Sequence, residues 1–177
     1  MTYTQHYDSP LGGILLAADD VGLTGLWFDG QKYFARGLSN ERIEQETSVL
    51  TETKRWLDIY FTGKAPDFTP PLHPIGSAFR RSVWEILLQI PYGQTATYGE
   101  IARQLAKKQG LDRMSAQAVG GAVGHNEISI IIPCHRVVGA DGSLTGYAGG
   151  IDKKETLLEL EHADMRRFFV PKNGNAL

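Results

Sequence analysis

Four prolines fall within residues 66–74, and this cluster divides the chain of 177 residues. Proline has no backbone N–H to donate and a fixed φ angle, so helices and sheet ladders are both disfavoured there. We therefore predict a linker over residues 65–76 and a domain boundary near residue 75. A chain of this length can form one medium domain or two small ones, and the prolines favour two.

The segment before the linker predicts a small sheet and one helix. Residues 11–18 and 23–28 are apolar runs joined by the acidic, glycine-containing residues 19–22, a pattern typical of a β-hairpin. Residues 48–61 carry apolar side chains at spacings of three, four and seven. That periodicity predicts an amphipathic helix that ends at Gly63.

The segment after the linker predicts three helices before residue 125. The first covers residues 77–88, and a capping box at Thr97 and Glu100 starts the second, which runs to about Leu105. A polar connection over residues 106–113 leads to the third helix, over residues 114–124. Its three glycines each cost roughly 1 kcal/mol, so its backbone is expected to lie close to something large. Two arrangements satisfy this expectation equally: a helix-turn-helix against a partner, or a helix packed tightly against a sheet.

The chain has a single cysteine, Cys134, with a histidine directly after it. The β-branched run at residues 128–132 predicts a buried strand, which Pro133 is expected to end. A thiol is a strong nucleophile as the thiolate, and a basic or cationic neighbour favours that form. For an arbitrary Cys-His pair, a buried structural cysteine is the alternative.

Residues 152–163 predict a further helix, with Asp152 as its N-cap. In the tail that follows, the apolar residues 168–170 are expected to pack on the domain. The polar chain beyond Pro171 is expected to be disordered.

The composition is that of an ordinary soluble protein, with 42% hydrophobic and 21% charged residues. No run approaches the roughly 18 apolar residues of a membrane helix, and residues 1–6 do not resemble a signal peptide. One cysteine cannot form an internal disulfide or a multi-cysteine zinc site, which favours a cytoplasmic protein. Residues 1–75 hold six basic and ten acidic residues, a net charge of −4, whereas residues 76–177 hold twelve and ten, a net charge of +2. The second half is therefore the better candidate for a nucleic-acid surface.

Taken together, the motifs around the cysteine resemble the O6-alkylguanine-DNA alkyltransferases, or methylated-DNA–protein-cysteine methyltransferases. The resemblance runs from about Phe79 to Glu161, and residues 9–12 and 22–23 are similar to that family's first domain. It implies an α+β fold: a small ribonuclease-H-like domain over residues 1–75, a winged-helix-like domain with a helix-turn-helix over residues 76–165, and a tail over residues 166–177. The residues that carry it are Asn126, the sequence PCHRVV at 133–138, the sequence GYAGG at 146–150, and Lys154-Glu155.

The resemblance also implies the reaction. An alkyl group moves irreversibly from O6 of guanine in double-stranded DNA to Cys134, with O4-alkylthymine as a further substrate. Each molecule would act once, as a monomer, with no cofactor, metal or membrane. His135 is implied as the base, linked to Cys134 through a water, with Glu161 orienting it and Asn126 bracing the turn before the cysteine. Taken alone, Glu161 is more often a solvated helix residue, and His135 could be a satisfied core histidine.

The target base lies inside a stacked duplex, so it must be flipped out at a cost of about a few kcal/mol. The resemblance places the hydroxyl of Tyr98 near the flipped base and places Tyr147 and Ala148 in the pocket wall. Arg136 is expected to be structural or phosphate-facing rather than catalytic. The second helix of the helix-turn-helix would enter the minor groove, where bulk would block close approach. That would explain its small residues, which are Ala116, Ala118, Gly120, Gly121 and Ala122.

The sequence departs from the family pattern in three places. Gln117 stands where the family usually has an arginine that enters the base stack, and glutamine lacks the charge and the planar guanidinium. Arg113, about one turn earlier, is a candidate substitute. The connection over residues 106–113 is longer than is typical, and its added basic residues, Lys107 among them, would contribute phosphate contacts and salt dependence. Residues 160–162 are Leu-Glu-His, where His-Glu-Gly is more usual.

Two other classes of function stay open at this point. A non-catalytic sensor of alkylated DNA, or a regulator, would bind the lesion without removing it; Cys134 argues against this class and Gln117 favours it. A Cys/His hydrolase would form product well beyond one equivalent, but the sequence contains no recognisable oxyanion-hole motif.

Overall fold

The computed structural model describes residues 1–172, which belong to two compact units. The first unit comprises Met1–Ile75 together with Glu127–Ile131, and the second comprises Gly76–Asn126 and the chain from Ile132 onward. The main division falls at the end of the proline-rich segment. The inclusion of residues 127–131 in the first unit has no counterpart in the sequence-based boundaries. Within residues 1–172, no helix is both long and apolar enough to cross a membrane.

The first unit contains a four-stranded sheet whose strand order is β3-β2-β1-β4. β2 and β3 form the predicted antiparallel hairpin, whereas β1 and the short β4 lie outside the predicted elements. Only one residue of β1, Thr4, is buried, and the strand's sequence, TYTQHYDS, lacks the apolar run by which β2 and β3 are predicted. The bounds are Thr2–Ser9 for β1, Gly12–Ala18 for β2, Leu23–Phe28 for β3 and Arg42–Glu44 for β4.

Helix α1 (Ser48–Tyr60) forms at the predicted position in the first unit. The Thr47 hydroxyl caps it by accepting the Leu50 N–H, and its apolar stripe is buried. Because side chains alternate along a strand, the sheet has two apolar faces. A second cluster, separate from the helix stripe, contains Leu15, Ala17 and Trp27, with Ala35 and Leu38 packed against it.

The backbone of β3 is paired on its outer side by two segments that are distant in sequence. Leu23 donates to the Pro71 carbonyl at 2.8 Å and accepts from His73 at 2.8 Å, so the proline-rich segment is docked along the strand. Leu26 likewise donates to Glu127 at 2.8 Å and accepts from Ser129 at 3.1 Å. These bonds cover a strand edge that would otherwise be open.

The predicted strand over residues 128–132 is wrong. Only Ile128 forms a bridge, to Leu26, and Ile130 then takes a left-handed conformation with φ of 70°. All five residues are nevertheless buried. A short apolar run indicates burial but does not distinguish an extended strand from a buried turn.

The second unit begins with three packed helices, α2 (Ala78–Leu87), α3 (Tyr98–Gln109) and α4 (Ala116–Gly124). The Thr97 hydroxyl accepts the Glu100 N–H at 3.1 Å, which is the cap predicted for α3. α3 continues four residues beyond its predicted end and stops at Gly110, whose φ of 69° suits glycine. α3, the connection and α4 form the helix-turn-helix.

A short parallel ladder of β5 (Ala96–Thr97) and β6 (Val137–Val138) and the helix α5 (Ile151–Leu160) complete the second unit. The prediction of Asp152 as N-cap is wrong: Gly150 holds that position with φ of 103°, and Asp152 lies in the first turn.

The tail begins with a 3-10 turn at Met165–Arg167. Packing of the tail is confirmed for Phe168, which contacts the cluster of Val138, Leu144 and Leu158. Phe169 bonds through its backbone to Gly142 and Leu144, while its side chain is half exposed. The predicted disorder beyond Pro171 falls mainly on residues 173–177, which lie outside the described residues.

Candidate active site

The thiol of Cys134 lies in a 3-10 turn, Cys134–Arg136, that directly follows Pro133. The Cys134 N–H donates to the Ile132 carbonyl at 2.8 Å, and Nδ2 of Asn126 donates to the same carbonyl at 2.9 Å. Asn126 therefore ties the end of α4 to the turn that holds the thiol. Cys134 is only 5% exposed, so solvent has little access to the sulfur.

His135 is completely buried, and a carboxylate fixes one of its ring nitrogens. Nε2 lies 2.6 Å from Oε2 of Glu161. Nδ1 is buried and has no hydrogen-bond partner among residues 1–172. An imidazole with one nitrogen held by a carboxylate and the other unoccupied is poised to exchange a proton at the second nitrogen.

Glu161 directly follows α5 and is 1% exposed, so it is not a solvated helix residue. Nε and Nη2 of Arg136 donate to its two oxygens at 2.8 and 3.1 Å, and the Gly93 N–H adds a bond at 3.2 Å. Nη1 of Arg136 donates to the Ile90 carbonyl at 2.7 Å. Arg136 is thus directed into the protein, which corresponds to the structural alternative rather than the phosphate-facing one.

Burial and charge act in opposite directions on this network. Burial alone would raise the pKa of Glu161, but the hydrogen bonds from His135 and Arg136 and the positive charge of Arg136 outweigh it and hold that pKa well below its usual range. Burial lowers the pKa of His135, although Glu161 partly opposes the shift. The resting pair is therefore an ionised glutamate with a neutral histidine, and the neutral histidine can accept a proton.

Lys154 is a buried cation beside the thiol, and its role is not predicted from the sequence. Its Nζ donates to the backbone carbonyls of Val137, Thr145 and Gly146, the last two at 3.0 and 3.2 Å. Burial lowers the pKa of Lys154 to about 8, and the charge of Cys134 partly opposes the shift. One feature of the sequence does indicate that Lys154 is buried: it lies three residues before Leu157, on the apolar side of α5.

Burial raises the pKa of the Cys134 thiol, and several groups offset part of that rise. They are the side chain of Asn126, the charge of Lys154 and nearby backbone N–H groups. Desolvation disfavours a thiolate, and a nearby cation favours it. The site therefore holds a thiol at rest but carries the groups that would stabilise the anion.

A small pocket beside the sulfur is lined by three predicted site residues besides Cys134, namely Tyr98, Tyr147 and Ala148. The Tyr98 hydroxyl donates to the Thr145 carbonyl at 3.1 Å, and burial raises the pKa of Tyr98 to about 12. The ring of Tyr147 meets that of His135 edge-on at 6.4 Å. The enclosed space is about 10 Å³, which is about the room that one water needs.

The structure does not bring Arg113, Ala116 and Gln117 to this pocket. All three are exposed, around the start of α4, where Ser115 caps the helix. The small residues of α4 fall into a buried and an exposed group, and the helix packs on α2 and α3 rather than on a sheet, which the second predicted arrangement required. Gly120 and Ala122 are buried, and the indole of Trp84 donates to the Ala122 carbonyl at 2.9 Å. Ala116, Ala118 and Gly121 are exposed.

Fold and site together define a helix-turn-helix domain built around a candidate cysteine nucleophile. Comparison of the sequence with known protein families shows which family the chain belongs to. Residues 78–163 match the family model described as 6-O-methylguanine DNA methyltransferase, DNA binding domain, and residues 2–74 match the ribonuclease-like domain of the same family. The chain therefore belongs to the 6-O-methylguanine DNA methyltransferase family.

Individual relatives agree with the family models over most of the chain. The methylated-DNA–protein-cysteine methyltransferase of Methanosarcina acetivorans is 44% identical over 160 residues, which cover 90% of this chain and 97% of that protein. The protein of the same name from Mycobacterium tuberculosis is 42% identical over 161 residues, 91% of this chain and 93% of that protein. The crystal structure of Mycobacterium tuberculosis OGT in complex with DNA matches with a TM-score of 0.77 and 40% identity, over 94% of each chain.

Proposed function

We propose that this protein repairs DNA by transferring an alkyl group from O6 of guanine to Cys134, once per molecule. The observation that carries the proposal is the buried constellation of thiol, imidazole and carboxylate, with His135 bonded to Glu161 at 2.6 Å. Family membership supports the same reaction and supports DNA as the partner. The chemistry uses only side chains of this chain, so no cofactor enters it.

The proton of the thiol has a route within the site. His135 would take it at Nδ1, the nitrogen without a partner, directly or through one water, while Glu161 and Arg136 keep the ring in place. The thiolate then attacks the alkyl carbon, so an S–C bond forms as the C–O6 bond breaks. Lys154 would stabilise the thiolate before attack.

The departing guanine carries the electrons of the broken bond and needs a proton donor. The hydroxyl of Tyr98, which lines the pocket, is a candidate, and it would exchange its bond to Thr145 for one to the base. The proton that His135 takes from the thiol would then restore the tyrosine hydroxyl through water. The enclosed space of about 10 Å³ is too small for a purine. The loop around Tyr147 and Ala148 would therefore move outward when a flipped base enters.

The same residues bear on the cellular compartment, the oligomeric state and the range of substrates. A single free cysteine, with no disulfide to hold the fold, supports action in the reducing cytoplasm. Each chain would carry its own acceptor thiol and its own helix-turn-helix, so a monomer would suffice. The same thiol would accept the alkyl group of O4-alkylthymine if the pocket admits a pyrimidine.

Mass spectrometry after mixing the protein with a duplex that carries one O6-methylguanine tests the proposal. We expect a gain of about 14 Da on the Cys134 peptide and a plateau at one lesion per molecule. Cys134→Ala should abolish transfer yet retain binding to the duplex, because the sulfur reacts rather than anchors. Binding without any loss of the lesion by the wild type would indicate a sensor instead, and repeated turnover would indicate a hydrolase.

A further inference from the structure

The connection between α3 and α4 folds back along α3 and encloses a cleft of about 560 Å³. The reversal starts at Gly110, and the Leu111 N–H donates to the Ala106 carbonyl at 2.8 Å. One wall is a face of α3, with residues spaced three and four apart, and the other wall is residues 111–114 of the connection together with Ala116 of α4. The volume lies within the range that accommodates a sizeable ligand rather than a single ion.

Three cations from both walls line this basic cleft. Arg103 and Lys107 lie one turn apart on α3, and Arg113 comes from the connection. Asp112 is the single acidic side chain in the lining, so the cleft carries a formal excess of two positive charges. Within the described part of the chain, none of the three cations forms an ion pair. Exposed cations that stay uncompensated inside the fold favour an anionic partner.

The basic cleft is continuous with both parts of the proposed DNA site. A guanidinium nitrogen of Arg103 lies 3.5 Å from the position that a Cβ on Gly99 would take, and Gly99 directly follows Tyr98 of the thiol pocket. At the other end, Ala116 lines the cleft and also begins α4. The cleft therefore adjoins both the thiol pocket and the exposed first turn of α4, the two places where the proposed function puts the DNA.

We propose that the basic cleft binds the phosphate backbone of the duplex beside the lesion. The proposal rests on the proposed function. It gives the protein a second region of contact with DNA, besides the first turn of α4. Charge complementarity and continuity select DNA as the occupant: phosphates repeat along a strand, whereas a small anion would need only one of the cations. The cleft would supply positive charge close to Gln117, which has none of its own.

The test is the salt dependence of binding to an undamaged duplex, measured by fluorescence anisotropy between about 50 and 200 mM salt. The variants are Arg103→Gln, Lys107→Gln, Arg113→Gln and the triple combination. Each lost phosphate contact should reduce the slope of log K against log salt by about 0.9, and the triple variant should lose about 2.7. At 0.1 M salt, each single substitution should weaken binding up to about eightfold, as that slope implies.

Lys108→Gln is the matched control, because Lys108 lies next to Lys107 on α3 but its Nζ is 3.6 Å from Glu85. Its slope should equal that of the wild type. Circular dichroism and thermal unfolding check that every variant is folded. An unchanged slope in the folded triple variant would overturn the cleft proposal, as would an equal change in Lys108→Gln. Alkyl transfer by the wild type is scored separately, so a failure of the proposed function is distinguishable from a failure of the cleft.

Discussion

The thiol site and the proposed DNA-binding surface of the second unit differ in how their charged groups are compensated. His135, Arg136, Lys154 and Glu161 are four ionisable groups with at most 8% exposure, and each is held by short hydrogen bonds. The exposed surface consists of the first turn of α4 and the basic cleft, where small side chains and uncompensated cations lie in solvent. The first region depends on exact internal pairing, whereas the second depends on the absence of internal partners.

This difference sets the size of the effects that substitutions should have. Removing one member of a buried charge network leaves another charge unpaired in a medium of low dielectric constant, which costs both stability and chemistry. Changing an exposed cation or a small residue leaves the fold nearly intact and alters only what the surface binds. A large loss of stability from the exposed surface, or none from the buried network, would break the comparison.

Glu161→Gln should have the largest effect, because it leaves the guanidinium of Arg136 buried without its carboxylate. We expect the free energy of unfolding to fall by about 3 kcal/mol and alkyl transfer to slow at least about 100-fold. Denaturant unfolding and single-turnover kinetics measure the two. Glu159→Gln, on the exposed side of α5, should change neither; equal losses in both variants would contradict the assignment.

The same residue predicts an acid dependence of stability. The pKa of Glu161 is lower in the folded protein than its unfolded value of about 4.3. Its stabilising contribution is therefore present above that pH and is lost as the pH falls toward the folded pKa. Glu161→Gln should consequently lose less stability than the wild type between pH 5 and pH 3. Urea unfolding at both values should therefore show a smaller difference in the free energy of unfolding between the two proteins at pH 3 than at pH 5.

The two regions also differ in how far the sequence predicts them. The capping threonine of α3 depends on residues a few positions apart and appears where expected, whereas α4 begins two residues after its predicted start, at Ala116, because Ser115 caps it. The three carbonyls that accept hydrogen bonds from Lys154 belong to residues 137, 145 and 146. These residues are distant from Lys154 in sequence, so no local pattern predicts the contact. The strand predicted over residues 128–132 is wrong for a related reason. Tertiary packing holds Ile130, a β-branched residue, at a φ of 70° that its own conformational preference disfavours.

Lys154→Met tests whether the buried cation stabilises the thiolate. Removing its charge should raise the pKa of Cys134 further and slow transfer about tenfold at pH 7, the effect of one pKa unit. Because the pKa of Lys154 is about 8, the wild type loses the same charge as the pH rises. The difference in rate should therefore shrink between pH 7 and pH 9. A constant ratio across this range would indicate a structural role alone, and Lys108→Met serves as a control for charge.

Gln117→Arg concerns the exposed surface and should have a moderate effect. An added cation in the first turn of α4 should tighten duplex binding up to about eightfold at 0.1 M salt and steepen the salt dependence by about 0.9. Anisotropy titrations provide both numbers. Gln89→Arg, placed after α2, controls for general attraction between a more basic protein and DNA. Equal gains in the two variants would show that position 117 has no special contact with the duplex.

Gly121→Ala should have the smallest effect and should separate folding from binding within one variant. No neighbouring group lies within 4 Å of where its Cβ would stand, and the residue is exposed in the interior of α4. Alanine should therefore stabilise the helix by about 0.5–1 kcal/mol and raise the melting temperature by about 2–4 °C. If DNA lies close against this face, the added methyl group should weaken duplex binding despite the gain in stability. A more stable protein with unchanged binding would mean that the open space beside Gly121 faces solvent even in the complex, and that close approach of DNA does not require a glycine at this position.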